Sequence, residues 1–162
     1  MATATYKLQI DWNDNGVWTD TGETISMNRV RSINCWRGRD RDSQLTGRSI
    51  GGRFQAVVDN RSGDYNSFNT GSPIAGNMLP GKPLRLLATS AAQADIVIWR
   101  GFLKRIRPRP TVNGDNVAVF EGHGPLAQIN VHQMSLAMRT SELTSVTVGA
   151  ILDEVGFAAA DR

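Results

Sequence analysis

The sequence has 162 residues, 40% hydrophobic and 20% charged, which is the length and balance of one globular domain with its own core and room for the start of a second. No apolar run is long enough to cross a bilayer, and the first five residues lack the basic and apolar parts of a signal peptide, so we expect synthesis in a cytosol. The net charge is only +3, and one cysteine with two histidines excludes an internal disulfide and a Cys/His zinc site.

The first half of the chain is dominated by predicted strands. Residues 6–12 alternate apolar and polar side chains and predict the opening strand. A short segment at 23–27 and a strand over 29–39 follow. Residues 50–58 then predict a half-buried strand, and residues 84–88 another. Period-two patterns of this kind, separated by turn residues, indicate a mainly β fold, which we interpret as an antiparallel β-barrel or split barrel.

The second half continues with strands and ends in a helix. Residues 95–107 predict a long strand, with a bulge near Gly101 and an end at Pro108 and Pro110. Its return strand is predicted at 117–121.

A change of character follows Gly122. Thr147 is the candidate N-cap of one short C-terminal helix that ends at Gly156. We therefore divide the chain into a β domain, 1–124, and a connecting arm with a helix, 125–162; that this helix is the first of a following, truncated domain is what the family resemblance described below implies.

The residues after the first strand carry oxygen atoms at the spacing of the first ligands of an EF-type calcium loop. The candidate ligands are Asp11, Asn13, Asn15 and Asp20. Gly16 stands at the turning position, but Gly22 occupies the twelfth position, where such a loop needs an acid. An Asn-Gly turn joining two strands explains the same residues without a metal. Calcium is the one cofactor that the sequence leaves open.

Residues 64–81 form a long loop without helical or alternating period. They nevertheless contain five large apolar side chains, more than a solvated linker carries. These are Tyr65, Phe68, Ile74, Met78 and Leu79. Loops of this length inside a compact domain are usually functional, so we expect this loop to pack against the barrel or against a partner.

Four segments in a fixed order resemble the N-terminal part of tail and baseplate-hub proteins of bacteriophages and prophages. They are the opening IDWNDNG, the strand end Asp59-Asn60-Arg61 with its loop, the turn LPGKP, and the strand WRGFLKRIRP. The family has a Tyr-Ser-Pro-Leu-Asn-like loop, whereas this chain has Tyr65-Asn66-Ser67-Phe68-Asn69 and lacks the proline. The resemblance spans about 6–162. The order of the four segments is more specific than any single one.

The resemblance implies a structural component of a phage or prophage tail, either the baseplate hub or a tail-tip ring that continues the tail tube. It implies a homo-oligomer in contact with neighbouring tail-tube or tail-tip proteins, and a trimer is favoured over a hexamer. The location would be the virion tail, after synthesis in the bacterial cytoplasm. Candidate subunit contacts come from an alternating-charge segment and from the apolar loop. They are Arg37, Arg39, Asp40, Arg41, Asp42, Tyr65, Phe68, Ile74, Met78 and Leu79.

The alternative function is that of a nucleic-acid-binding β-barrel. Two arginine-rich segments, 29–53 and 100–109, together with Trp36, Trp99 and Phe54, would form a charged groove with stacking platforms. These aromatic residues fall on strand faces whose other members are apolar, which favours core positions and disfavours nucleic acid as a partner.

Catalytic signals are weak in this sequence. His123, between two glycines, and His132 belong to no triad, nucleophile elbow or metal signature. We therefore expect no enzymatic activity.

Overall fold

A computed structural model describes residues 4–36, 51–90, 93–110, 114–125, 127 and 143–154. Within these residues, seven antiparallel strands form one sheet and a single longer helix follows, which confirms the mainly β class. The strands are β1 (Thr5–Ile10), β2 (Thr24–Ile25), β3 (Val30–Trp36), β4 (Arg53–Asp59), β5 (Pro83–Thr89), β6 (Ile96–Arg109) and β7 (Val117–His123). A 3-10 turn covers Met27–Arg29, and the helix α1 covers Thr144–Glu154.

The strand order is β2-β1-β5-β6-β7-β4-β3, so the two edge strands are consecutive in sequence. Only residues 26–29 separate them, which limits the distance between the two edges at this point to about 18 Å. The sheet therefore curls until its edges come near one another, as in a split barrel. The described strands do not close it, because no pairing joins the two edge strands, β2 and β3.

One hydrophobic cluster fills the interior of this curled sheet. In β4, buried and more exposed residues alternate, so that Phe54, Ala56 and Val58 point inward as their period-two spacing predicts. The fully buried large side chains include Trp12 and Trp99, together with Leu8, Ile10, Leu84, Leu103 and Phe120. These side chains come from β1, β5, β6 and β7 and the segment after β1, so the core ties both halves of the sheet together.

The long strand β6 differs from its prediction in two ways. The register of β6 shifts at Ile98, where it pairs with β5, and between Leu103 and Arg105, where it pairs with β7. These shifts lie on either side of Gly101 and not at Gly101 itself. Gly101 instead admits the Trp99 ring, since a Cβ there would collide with that ring and with the backbone oxygen of His123.

Pro108 also lies inside β6 and does not end it, whereas Pro110 lies just beyond the end at Arg109. The strand tolerates Pro108 because it has left β5 by this point and pairs only with β7 among the described strands. The missing N–H group of a proline costs little on the side of a strand that has no partner strand.

The remaining boundaries differ by a few residues. Among the described residues, β4 begins at Arg53, whereas the predicted start, residue 50, lies outside them, and β2 is only two residues long. The helix begins at Thr144, three residues before the predicted cap Thr147. No helix in the described part of the chain has the length and apolar character to span a membrane.

Candidate subunit interface

The segment between β4 and β5, residues 60–82, is the β4–β5 loop, and its backbone is fixed by its own hydrogen bonds. The N–H groups of residues 63, 66, 69, 72 and 75 each donate to the carbonyl three residues earlier, at 2.9–3.2 Å. The Asn60 side-chain oxygen accepts the Tyr65 N–H at 3.0 Å, and the Ser72 hydroxyl donates to the Asp64 carbonyl at 2.8 Å. The loop is thus a series of closed turns.

Two of its apolar side chains anchor the loop in the core of the same chain. Tyr65 is 5% exposed and meets the Phe120 ring edge-on at 4.9 Å, and Ile74 is 2% exposed. Arg29 lies over the Tyr65 ring at 5.1 Å and pairs with Asp64 at 3.0 Å. Burial raises the pKa of the Tyr65 hydroxyl above its ordinary value.

This burial bears on two of the predicted subunit contacts. Ile74 is almost inaccessible to a neighbouring chain, because it lies in the interior between the loop and the sheet. Tyr65 lies in the same core but also lines the groove described below, so it keeps a small accessible surface there. Met78 is half-buried and packs against the same core.

Phe68 and Leu79 are different, because their side chains leave the loop and face outward. Phe68 is 90% exposed and Leu79 is 57% exposed. The Phe68 backbone is nevertheless held, since its N–H donates to the Asn66 side-chain oxygen at 3.2 Å. A fixed backbone that presents a bare aromatic ring is what distinguishes this site from a flexible surface loop.

A groove of about 200 Å³ separates the β4–β5 loop from the second half of β6. Its lining is largely apolar and includes Met78, Leu79, Ile106 and Pro108, with Leu103 also contributing. Ser67 and Arg105 are polar lining residues, and Tyr65 also lines the groove. The predicted contact residues Met78 and Leu79 therefore border a concave surface immediately beside the projecting Phe68.

The alternating-charge segment lies outside the described residues. Arg37, Arg39, Asp40, Arg41 and Asp42 all belong to it. Their contribution to an interface stays a prediction.

The candidate calcium ligands lie in the segment between β1 and β2, residues 11–23, called here the β1–β2 loop. The two carboxylate oxygens of Asp11 accept the backbone N–H groups of Asn15 at 3.2 Å and Gly16 at 2.8 Å. One Asp20 oxygen accepts the side-chain amides of Asn13 at 3.0 Å and Asn15 at 2.9 Å. N–H donors thus occupy the carboxylates that calcium needs, as in a hydrogen-bonded turn.

The described residues contain no group of three or more His, Cys, Asp or Glu side chains placed to hold a metal ion. Calcium binding by Asp11, Asn13, Asn15 and Asp20 stays a hypothesis. The loop does connect two antiparallel strands, as the turn interpretation of the same residues requires.

Glu23, which could replace the missing twelfth ligand of a differently shaped calcium loop, is a buried acid. Its side chain has no solvent exposure; one carboxylate oxygen accepts the Asp20 N–H at 3.0 Å, and the other has no hydrogen-bond partner. Burial, and then the nearby charges of Asp11 and Asp20, raise the pKa of Glu23. The period-two pattern contained the signal, because Glu23 shares a strand face with the buried Ile25.

The described parts of the arginine-rich segments place two of the three predicted stacking residues in the core. Trp99 and Phe54 are buried and pack on each other with ring centroids 4.9 Å apart. Of the three aromatic residues in that alternative, only Trp36 is substantially exposed. Arg105 and Arg107 both pair with Glu121, at 2.6 and 3.3 Å, and hydrogen bonding to Arg105 lowers the pKa of Glu121.

His123 lines a cavity of about 950 Å³ beside the described strands. Burial lowers the pKa of this half-buried imidazole, which therefore stays neutral at pH 7. The described residues that line the cavity include no serine, threonine or cysteine, and their one carboxylate, Glu121, is paired with arginine.

No protein-family model matches this sequence, and a search of curated proteins finds no significant match.

Proposed function

We propose that this chain is a structural subunit of a phage or prophage tail, a baseplate-hub or tail-tip ring protein that acts by assembling with copies of itself. The observation that carries the proposal is Phe68, a 90% exposed aromatic residue on a loop whose backbone is hydrogen-bonded and anchored in the core. The order of the four phage-like segments supports the same assignment.

A rigid loop is a favourable place for an interface anchor. Burying an aromatic side chain contributes about 1.5–3 kcal/mol through the hydrophobic effect, and binding loses part of such a gain when a loop must be ordered first. Because the turns around Phe68 already fix the backbone, association loses less conformational entropy in ordering the loop. Aromatic anchors beside apolar pockets dominate the affinity of many interfaces.

The proposed partners are other copies of the chain in a ring, with a trimer favoured over a hexamer. Adjacent tail-tube or tail-tip proteins of the virion are the other proposed partners. The second half of β6 carries four cations, Lys104, Arg105, Arg107 and Arg109. Arg105 lines the apolar groove, and Glu121 pairs with Arg105 and Arg107. Such a surplus steers encounters with an acidic surface and sets specificity more than affinity.

The test is the oligomeric state of the chain by sedimentation velocity over a wide concentration range, alone and together with a tail-tube protein from the same genome. We expect a closed oligomer of defined mass. A monomer under every condition would contradict the assembly function. Steep, salt-sensitive retention of oligonucleotides by a monomer would instead favour the nucleic-acid-binding alternative.

A further inference from the structure

Phe68 and the apolar groove form a projection and a recess placed side by side. Ser67 lines the groove, and Phe68 is the next residue along the chain. Phe68 does not line that groove, and its ring is 90% exposed. The molecule therefore carries an unfilled recess and an uncovered aromatic ring at one place on its surface.

We propose that the groove receives Phe68 of a second copy of this chain. This inference rests on the proposed assembly function and names the contact through which assembly occurs. It selects one occupant because both partners of the contact are present in the same sequence.

The size and lining of the groove fit a single aromatic side chain. Small-molecule sites usually measure about 300–1,000 Å³, so a recess of about 200 Å³ is suited to one inserted group. Met78, Leu79, Ile106 and Pro108 supply apolar walls. Arg105 lines the same recess, and its guanidinium can meet the face of an inserted ring.

The adjacency of projection and recess also explains how the contact closes. Because Ser67 lines the groove and Phe68 follows it, a rotation axis close to Ser67 would bring Phe68 of each copy towards the groove of another. When every groove is filled, no unsatisfied projection is left, so growth stops at a ring. The same arrangement protects Phe68 from the nonspecific association that an exposed aromatic patch invites.

The first experiment compares two aromatic truncations in the full chain by sedimentation equilibrium. Phe68→Ala is expected to weaken self-association roughly tenfold to a hundredfold, which corresponds to the loss of one buried side chain per contact. Tyr6→Ala is the control, because Tyr6 is also exposed, at 47%, but lies on β1 and does not line the groove. Equal association of Phe68→Ala and the parent chain would overturn the inference.

The second experiment separates the projection from the recess. Leu79→Asp places a carboxylate in the groove, which an entering ring would have to desolvate, while it leaves Phe68 intact. Leu79 is 57% exposed, so this variant is expected to fold. Alone, it should lose self-association as Phe68→Ala does.

Mixing the two variants gives the decisive result. Phe68→Ala keeps a groove and Leu79→Asp keeps a projection, so the mixture is expected to form a heterodimer with one working contact but no closed ring. No heterodimer in the mixture would overturn the inference, because it would mean that Phe68 contacts something other than this groove. A defined parent oligomer that survives both substitutions would overturn this contact and leave the tail-subunit function standing. A parent chain that is monomeric alone but assembles with the tail-tube protein would also overturn this contact and leave the tail-subunit function standing. A parent chain that is monomeric under both conditions would overturn both the contact and the tail-subunit function.

Discussion

The β1–β2 loop and the β4–β5 loop are both long and rich in oxygen-bearing residues, and both bury large side chains, yet of the two only the β4–β5 loop projects a largely exposed aromatic ring. The first turns Trp12, Asp11 and Glu23 into the protein, whereas the second buries its anchors and leaves Phe68 outside. They also touch, since the Asn77 side-chain amide donates to the Asn13 side-chain oxygen at 3.0 Å. The difference teaches that a loop fixed by hydrogen bonds can serve the fold or a partner, and that only exposure of its apolar groups separates the two uses.

The largest effect on stability is expected when the buried aromatic side chain of the β1–β2 loop is removed. Trp12 is fully buried, and its indole N–H donates to the Gly22 carbonyl at 3.0 Å. We expect Trp12→Ala to lower the free energy of unfolding by about 3–5 kcal/mol. Phe68→Ala should change it by less than about 0.5 kcal/mol, as is usual for a surface position. Urea denaturation measures both, and equal losses would refute the contrast between the loops.

A smaller effect is expected from loosening the β4–β5 loop without touching its apolar groups. Asn60→Ala leaves the buried Tyr65 N–H without its acceptor, which costs about 1–3 kcal/mol. Hydrogen exchange of residues 63–75 should accelerate, and self-association should weaken although Phe68 is unchanged. Unaltered association with accelerated exchange would show that loop rigidity does not matter for assembly.

The buried acid in the β1–β2 loop gives an effect that depends on pH. Because the pKa of Glu23 is raised in the folded state, the folded protein holds the proton more tightly than the unfolded chain. The free energy of unfolding should therefore fall as the pH rises from the ordinary carboxyl pKa through the raised one. Glu23→Gln should remove this pH dependence. At neutral pH it should raise the free energy of unfolding by about 1 kcal/mol, the order of cost of an unpartnered buried polar group. Parallel pH profiles for parent and variant would contradict it.

The smallest expected effect concerns calcium. Because N–H donors already occupy the carboxylates of Asp11 and Asp20, we expect excess calcium to leave the melting temperature unchanged. A bound ion would raise it, by an amount that grows with the logarithm of the ion concentration. Such a rise, abolished by Asp20→Asn, would establish the calcium site and show that these turns reorganise around a metal.

The sequence predicts the strands well because period-two patterns report burial directly. Phe54, Ala56 and Val58 lie inside as their spacing indicates. The patterns fail where pairing is local, as at Pro108, because spacing cannot show that β6 has left β5 by that point. For the candidate site, spacing found the apolar loop but could not separate Tyr65 and Ile74, which anchor it, from Phe68 and Leu79, which project. That distinction depends on tertiary contacts with residues such as Phe120.

The pairing of β1 with β5 places Thr5 opposite Thr89, across a separation of 84 residues. A nascent chain therefore exposes β1 until β5 has left the ribosome, roughly 4–17 s later at usual rates of synthesis. Its apolar residues, Leu8 and Ile10, wait through that interval without the neighbour that will cover them. The N-terminal strand thus waits longer for β5 than any other described strand waits for a sheet partner, and conditions that slow translation should raise the fraction of chains lost to aggregation.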